Sequence, residues 1–194
     1  MGSLLSLVRL AGSLPELQPT EWGLSGLSGR LSELGGGAAV TIACGLLYEA
    51  QQRGDPTAWI SDGKPLFFPP DVATDGIDLE ALIVVRAPGA QAALRAGSEL
   101  ARSGAFALLV IDLASSQVPP PLMTRLLGLA QKHEVAVLFL SESPLGSLIS
   151  LRAETQVQRR GPFQFECGLQ VVKDKRRAPG WSHVEVCRGT AGLR

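Results

Sequence analysis

Three consecutive glycines, Gly35, Gly36 and Gly37, separate an apolar stretch at Leu31 to Leu34 from an Ala-, Ile- and Leu-rich stretch beginning at Ala39. Strand, glycine loop and helix is the order in which backbone N–H groups at a helix N-terminus cradle a phosphate. The side chains that complete such a site are missing. A working loop of the form GxxxxGK[ST] supplies a Lys to the β/γ oxygens and a hydroxyl to Mg²⁺. Here Ala38 and Ala39 stand where the Gly-Lys pair belongs, the first Lys of the chain is Lys64, and only Thr41 offers a hydroxyl. A neutral loop of this kind can attract an anion but cannot clamp a triphosphate well, so no cofactor is expected.

The other groups capable of chemistry are scattered. Two basic clusters, Arg159-Arg160 and Lys173-Asp174-Lys175-Arg176-Arg177, fall late in the chain. Residues 152 to 194 hold 9 Lys/Arg against 4 Asp/Glu, whereas residues 1 to 151 hold 9 against 14, for a formal net charge of zero. Arg159, Arg160, Lys173, Lys175, Arg176 and Arg177 are candidates for neutralising nucleic-acid phosphates. Solvated hairpin turns explain them equally well, since no aromatic residue is interleaved to stack on bases. Cys44, Cys167 and Cys187 have no zinc spacing and cannot all pair within the chain, so reduced thiols and no metal site are expected. His133 and His183 lack a nucleophile partner at a recognisable spacing, and Trp22, Trp59 and Trp181 read as packing residues.

The elements that must position these residues alternate. A strand at Leu31 to Leu34 precedes a helix at Ala39 to Gln52, strands at Thr57 to Ser61 and Ala81 to Arg86, and a helix at Ala90 to Arg102. A strand at Ala107 to Leu113, a helix at Pro121 to His133 and a strand at Val135 to Ser141 follow. The runs LIVV, ALLVID and VAVLFL are apolar throughout, as strands buried on both faces of a parallel sheet are. After Pro144 the runs LISLRAETQVQR, FQFECGLQVVKDK and HVEVCR alternate and are bounded by turns, which predicts an antiparallel meander added to that sheet. The expected class is α/β: a mostly parallel twisted sheet flanked by helices, with a C-terminal antiparallel meander.

With 194 residues, 45% of them apolar, the chain can bury a substantial core. The expected organisation is one core domain over residues 22 to 188, a flexible lead or docking segment over 1 to 21 and a tail over 189 to 194. The lead carries Leu4, Leu5, Leu7, Val8 and Leu10 at a spacing that suits a short helix, docked either in a partner's groove or on its own core. No apolar run reaches the roughly 18 residues of a membrane span, and a cytoplasmic protein without membrane contact is expected.

Four stretches together resemble the RecA family: GRLSEL with the glycines after it, ALRAGSELARSGAFALLVIDLAS (93 to 115), LGLAQKHEVAVLFLSES (127 to 143) and GLQVVKDKRRAP (168 to 179). Their order and spacing agree with a RecA core from about Trp22 to Val186, and the VVK-x-K run is the most specific of the four. The resemblance makes Asp112, at the end of ALLVID, the counterpart of the Mg²⁺-assisting acid, or a relic of it capped by Ser115 and Ser116. It also exposes departures. The loop Lys is absent, Asp62-Gly63 stands where a catalytic Glu is expected, and Ser141-Glu142-Ser143 stands where a polar sensor, commonly Gln, is expected. A loop without its Lys lacks a principal charge contact to a transferring phosphoryl group, so the chain is expected not to be an enzyme.

The RecA loops that bind single-stranded DNA correspond to ASSQVPPP and SESPLGS, which are short and not basic. A self-assembling strand exchanger is not expected. A shortened, catalytically silent RecA core is most similar to the ImuA-type accessory proteins of damage-induced translesion mutagenesis. That resemblance implies RecA, an ImuB-type polymerase homologue and an error-prone polymerase as partners, with single-stranded DNA as a further candidate. The alternatives are a residual ATP-binding module using Gly35 to Gly37, Thr41 and Asp112, and a division inhibitor of the SulA type.

Overall fold

The computed structural model describes residues 22–63, 72–73, 76–113, 118–161 and 164–188. The 1 to 21 lead, the 189 to 194 tail, Ser115, Ser116 and most of the turn-rich stretch 69 to 76 lie outside the described residues. In chain order the elements are α1 (Leu24–Leu27), β1 (Leu31–Gly36), α2 (Ala39–Gln52), β2 (Thr57–Ser61), β3 (Leu82–Arg86) and α3 (Ala90–Ser103). They continue as β4 (Leu108–Leu113), α4 (Pro120–His133), β5 (Ala136–Ser141), β6 (Leu151–Arg159), β7 (Gln164–Asp174) and β8 (Ser182–Arg188).

The eight strands form one sheet in the order β3-β2-β4-β5-β1-β6-β7-β8. Parallel pairing runs from β3 through to β6, and β7 and β8 add antiparallel. The LISLRAETQVQR run thus belongs to both parts, since β6 begins at Leu151, pairs parallel with β1 and turns back into β7. Strands β2, β4 and β5 are buried along their whole length, which is why their sequences are apolar without alternation. The LIVV run differs. β3 is an edge strand whose Ile83 and Val84 are 46% and 38% exposed, so its continuous apolar pattern misleads.

Each face of the sheet has its own core. Helix α2 lays Ile42, Ala43, Leu46 and Leu47 on one face, against Leu34, Trp59, Val110 and Leu138. On the other face α3 and α4 present Leu94, Met123 and Leu126 to Leu31, Ile60, Ile111 and Phe139. Gly97 sets how closely α3 approaches, because a Cβ there would lie 2.9 Å from Ile111 Cδ1. Among the described residues no helix is long and apolar enough to cross a membrane. None of the three cysteines is in a disulfide, and Cys167 sits opposite Glu185 rather than Cys187 in the β7–β8 register.

Candidate functional site

In an open parallel sheet, ligands bind beyond the carboxyl ends of the strands. At that end lie Gly35 to Ala38, Asp62, Asp112 and Ser141. The glycines do not form an open loop. Gly35 and Gly36 continue β1 in register with Glu154 and Thr155 of β6, and α2 starts three residues after Gly36. Gly36 is required there: its φ is +92°, and a Cβ would fall 2.1 Å from the Thr155 carbonyl oxygen. Thr155 closes the turn from within, its Oγ1 accepting from Ala38 N–H at 3.1 Å and donating to the Gly35 carbonyl at 2.7 Å. The amide that a phosphate would meet first is therefore bonded to a neighbouring strand. Thr41 is exposed, one turn into α2.

On the α3/α4 face of the same strand end, Glu33 is 1% exposed and sits beside the Arg152 guanidinium. Its Oε1 meets Arg152 Nη1 at 2.6 Å and accepts the Leu145 N–H at 3.1 Å and the Ser141 hydroxyl. Arg152 also grips Glu154 through Nη2 at 2.6 Å and Nε at 3.0 Å. Burial pulls the Arg152 pKa down, but Glu154 and Glu33 outweigh it and hold the guanidinium charged. Ser141, in the sensor position, is thus tied into an ion network rather than aimed at the α2 face, where the glycine turn lies.

Asp112 is 2% exposed and its Oδ2 has no hydrogen-bond partner. Burial raises its pKa to about 6, the charge of Asp62 adds to the rise, and Trp59 opposes it. Asp62 hydrogen-bonds its backbone N–H to the Asp112 carbonyl at 3.2 Å. A carboxyl in this setting is mostly ionised at neutral pH and takes up its proton in mildly acidic solution. No group of three or more His, Cys, Asp or Glu with metal-binding geometry occurs among the described residues.

The two basic clusters lie at opposite ends of the β6–β7 hairpin. Arg159 and Arg160 flank one end, and Lys173 to Arg177 follow the far end, where Leu151 pairs with Asp174. At about 3.3 Å per residue this separates them by roughly 26 Å, so they do not form one patch. Several of their donors are bonded to the protein itself. Arg159 Nε donates to the Gly161 carbonyl, Arg160 pairs with Glu166, Lys173 donates to Gly146 and Lys175 to Ser147, and Arg176 donates to Ser28. Sequence reasoning missed Glu33, Arg152, Thr155 and the Arg30–Asp174 ion pair. A signal did exist, because a charged residue inside an otherwise buried strand is almost always paired.

No family model matches the chain. In sequence it is similar to RecA of Chlorobium chlorochromatii, with 34% identity over 101 residues, 50% of this chain and 28% of that protein. RecA of Clostridium acetobutylicum is 32% identical over 94 residues, 47% of this chain and 27% of that protein. The chain thus spans little more than a quarter of the length of the curated relatives it matches. In structure it is similar to the RadB recombinase, with a TM-score of 0.61 at 16% identity over 81% of this chain and 87% of that one. It is equally similar to the flagellar accessory protein FlaH of Methanocaldococcus jannaschii, with a TM-score of 0.61 at 13% identity over 84% and 89%. The chain shares the fold of those two proteins and, over about half its length, sequence similarity to RecA.

Proposed function

We propose that this chain is a RecA-like body that acts by binding other proteins of the DNA-damage response and does not turn over nucleotide. The observation that carries the reading is the Thr155 bridge, which occupies the Ala38 amide and the Gly35 carbonyl where a phosphate loop would otherwise open. With Ala38 and Ala39 in place of the Gly-Lys pair, the loop itself brings no cation for a triphosphate. The resemblance to ImuA-type proteins supplies the rest. The chain works in the cytoplasm in translesion mutagenesis, engages RecA, the ImuB-type homologue and the error-prone polymerase, and restrains recombination while it does so.

Binding to RecA with and without single-stranded DNA and ATP, measured in one titration series together with strand exchange, tests this reading. Saturable binding with a dose-dependent fall in exchange is expected, along with no heat on titration with ATP·Mg²⁺ at millimolar nucleotide. Heat in that titration would instead favour a residual nucleotide site using Gly35 to Gly37, Thr41 and Asp112. Unchanged exchange at several-fold excess would remove RecA as the partner.

A further inference from the structure

At the amino end of the parallel strands, opposite the glycine turn, a cavity of about 150 Å³ is lined by Trp22, Leu27, Arg30, Asp174, Arg176, Arg177 and Trp181, among others. That is several times the space one water needs. Four polar atoms of its lining residues are buried and lack hydrogen-bond partners: Trp22 Nε1, Arg30 Nε, Trp181 Nε1 and Asp174 Oδ2. Trp22 and Arg30 are only 8% and 5% exposed. An orphaned buried donor costs about 1–3 kcal/mol, so three donors and one acceptor around one small space call for an occupant.

The charge indicates which kind. Three guanidiniums, of Arg30, Arg176 and Arg177, line the cavity against one carboxylate, and that carboxylate is already engaged. Asp174 Oδ1 accepts from Arg30 Nη1 at 3.0 Å and from the Arg176 backbone N–H at 2.9 Å. Arg176 Nη2 is committed to the Ser28 carbonyl at 2.9 Å. Burial, with help from the charges of Arg176 and Arg177, lowers the Arg30 pKa against the pull of Asp174, so added negative charge would be welcome there. Indole and guanidinium N–H groups donate and cannot accept, and their natural occupant is an anion rich in acceptor oxygens.

We propose that this cavity binds a phosphate-class oxyanion, held by the indole N–H groups of Trp22 and Trp181 and by Arg30 Nε, with Arg177 supplying charge at its mouth. The site is separate from the glycine turn and does not depend on the reading of that turn. The oxyanion is either free phosphate or a phosphate borne on nucleic acid, and the chemistry of recognition is the same for both.

Titration of the full chain with inorganic phosphate at constant ionic strength, followed by tryptophan fluorescence and thermal melting, tests the proposal. A saturable change in emission and a rise in Tm that grows with the logarithm of phosphate concentration are expected. Trp181→Phe keeps the ring and removes one N–H, and Arg177→Gln removes charge from an exposed residue, so both variants should fold. Each should weaken apparent phosphate affinity by about tenfold or more. Because phosphate also stabilises proteins by exclusion from their surface, a Tm rise equal in wild type and both variants would overturn the proposal. So would the absence of any saturable response, which would make the cavity a pocket of ordered water. Short single-stranded oligonucleotides then identify the source. Competition only by the 5′-phosphorylated form indicates a terminal phosphate, equal competition by both forms a backbone phosphodiester, and no competition free phosphate.

Discussion

The two ends of the parallel sheet have been treated in opposite ways. At the carboxyl end, where a RecA-like fold would hold nucleotide, polar groups are tied to one another: Thr155 bridges Gly35 and Ala38, and Glu33 gathers Arg152, Ser141 and the Leu145 amide. At the amino end, Arg30, Trp22 and Trp181 keep buried donors without partners around a cavity. One threonine and one ion network use up most of the hydrogen-bonding capacity beside the glycine turn, while unpartnered donors lie on the far side of the same strands. Asp112 is the exception at the carboxyl end, since its Oδ2 is still unpartnered.

The largest effect is expected at Glu33, in the ion network of the carboxyl end. Replacing Glu33 by Ala leaves the Arg152 guanidinium in a buried setting with only Glu154, and removing one member of a buried pair typically costs about 3–5 kcal/mol. Denaturant melts should show a loss of that order for Glu33→Ala. The double variant Glu33→Leu/Arg152→Met should recover much of it, because no charge is then left uncompensated. A loss below about 1 kcal/mol for the single variant would mean that the carboxyl end is more hydrated than its contacts imply.

Asp112 gives the next largest effect, with the opposite sign. Its folded pKa of about 6 lies above the ordinary carboxylate value of 3.8, so between those values the folded state binds more protons than the unfolded state. Stability from this group therefore falls as pH rises from about 4 to about 6, and the penalty is complete above that. Asp112→Asn should stabilise the protein at pH 8 by about 1–3 kcal/mol, and the advantage should shrink steadily toward pH 4 in melts across that range. An advantage independent of pH would show that the Asp112 charge is not the cause.

Thr155 comes third. Thr155→Val keeps the shape and removes both hydrogen bonds, leaving the Ala38 amide and the Gly35 carbonyl exposed to whatever can reach them. A loss of about 1–2 kcal/mol is expected, with no gain of ATP·Mg²⁺ binding by calorimetry, because the Lys that would hold the triphosphate is still missing. Nucleotide binding in this variant would show that one hydroxyl alone had closed the loop.

Much of the scaffold was legible in the sequence because it obeys local rules. The apolar runs of β4 and β5 and the helices beginning at Ala39 and Ala90 lie where periodicity places them. β3 was misread because an apolar run looks the same whether one neighbour covers it or two, and the strand order that leaves it at the edge is not a local property. The absence of a loop Lys was plain, but its consequence for the backbone was not, because Thr155 reaches the turn from 120 residues along the chain. The two basic clusters were plain in the sequence, but their distance was not. It follows from the hairpin register, and their bonds to Gly146, Ser147 and Ser28 follow from loops that come beside them. Among the scattered tryptophans, Trp22 and Trp181 do pack as expected, yet both also line the cavity, which spacing along the chain cannot reveal.

The smallest effect tests whether the amino end is a fixed frame. Glu134, between α4 and β5, has a φ of +55°, the one non-glycine residue with a positive φ among those described. Its carbonyl accepts the Ser28 hydroxyl at 2.7 Å, and the neighbouring Val135 carbonyl accepts the Gly29 N–H at 3.2 Å, so this turn holds the chain just before Arg30. A left-handed helix cap is a position where glycine carries no Cβ penalty. Glu134→Gly should therefore stabilise the protein by about 0.5–1 kcal/mol, less whatever the more flexible unfolded chain gives back. If the amino end is framed by the buried Arg30–Asp174 pair, the gain should be purely local, adding to the phosphate-induced rise in Tm without altering its size. A Glu134→Gly variant that responded differently to phosphate would show that the cavity's shape depends on this turn, and that the contrast between the two ends is one of rigidity as much as of hydrogen bonding.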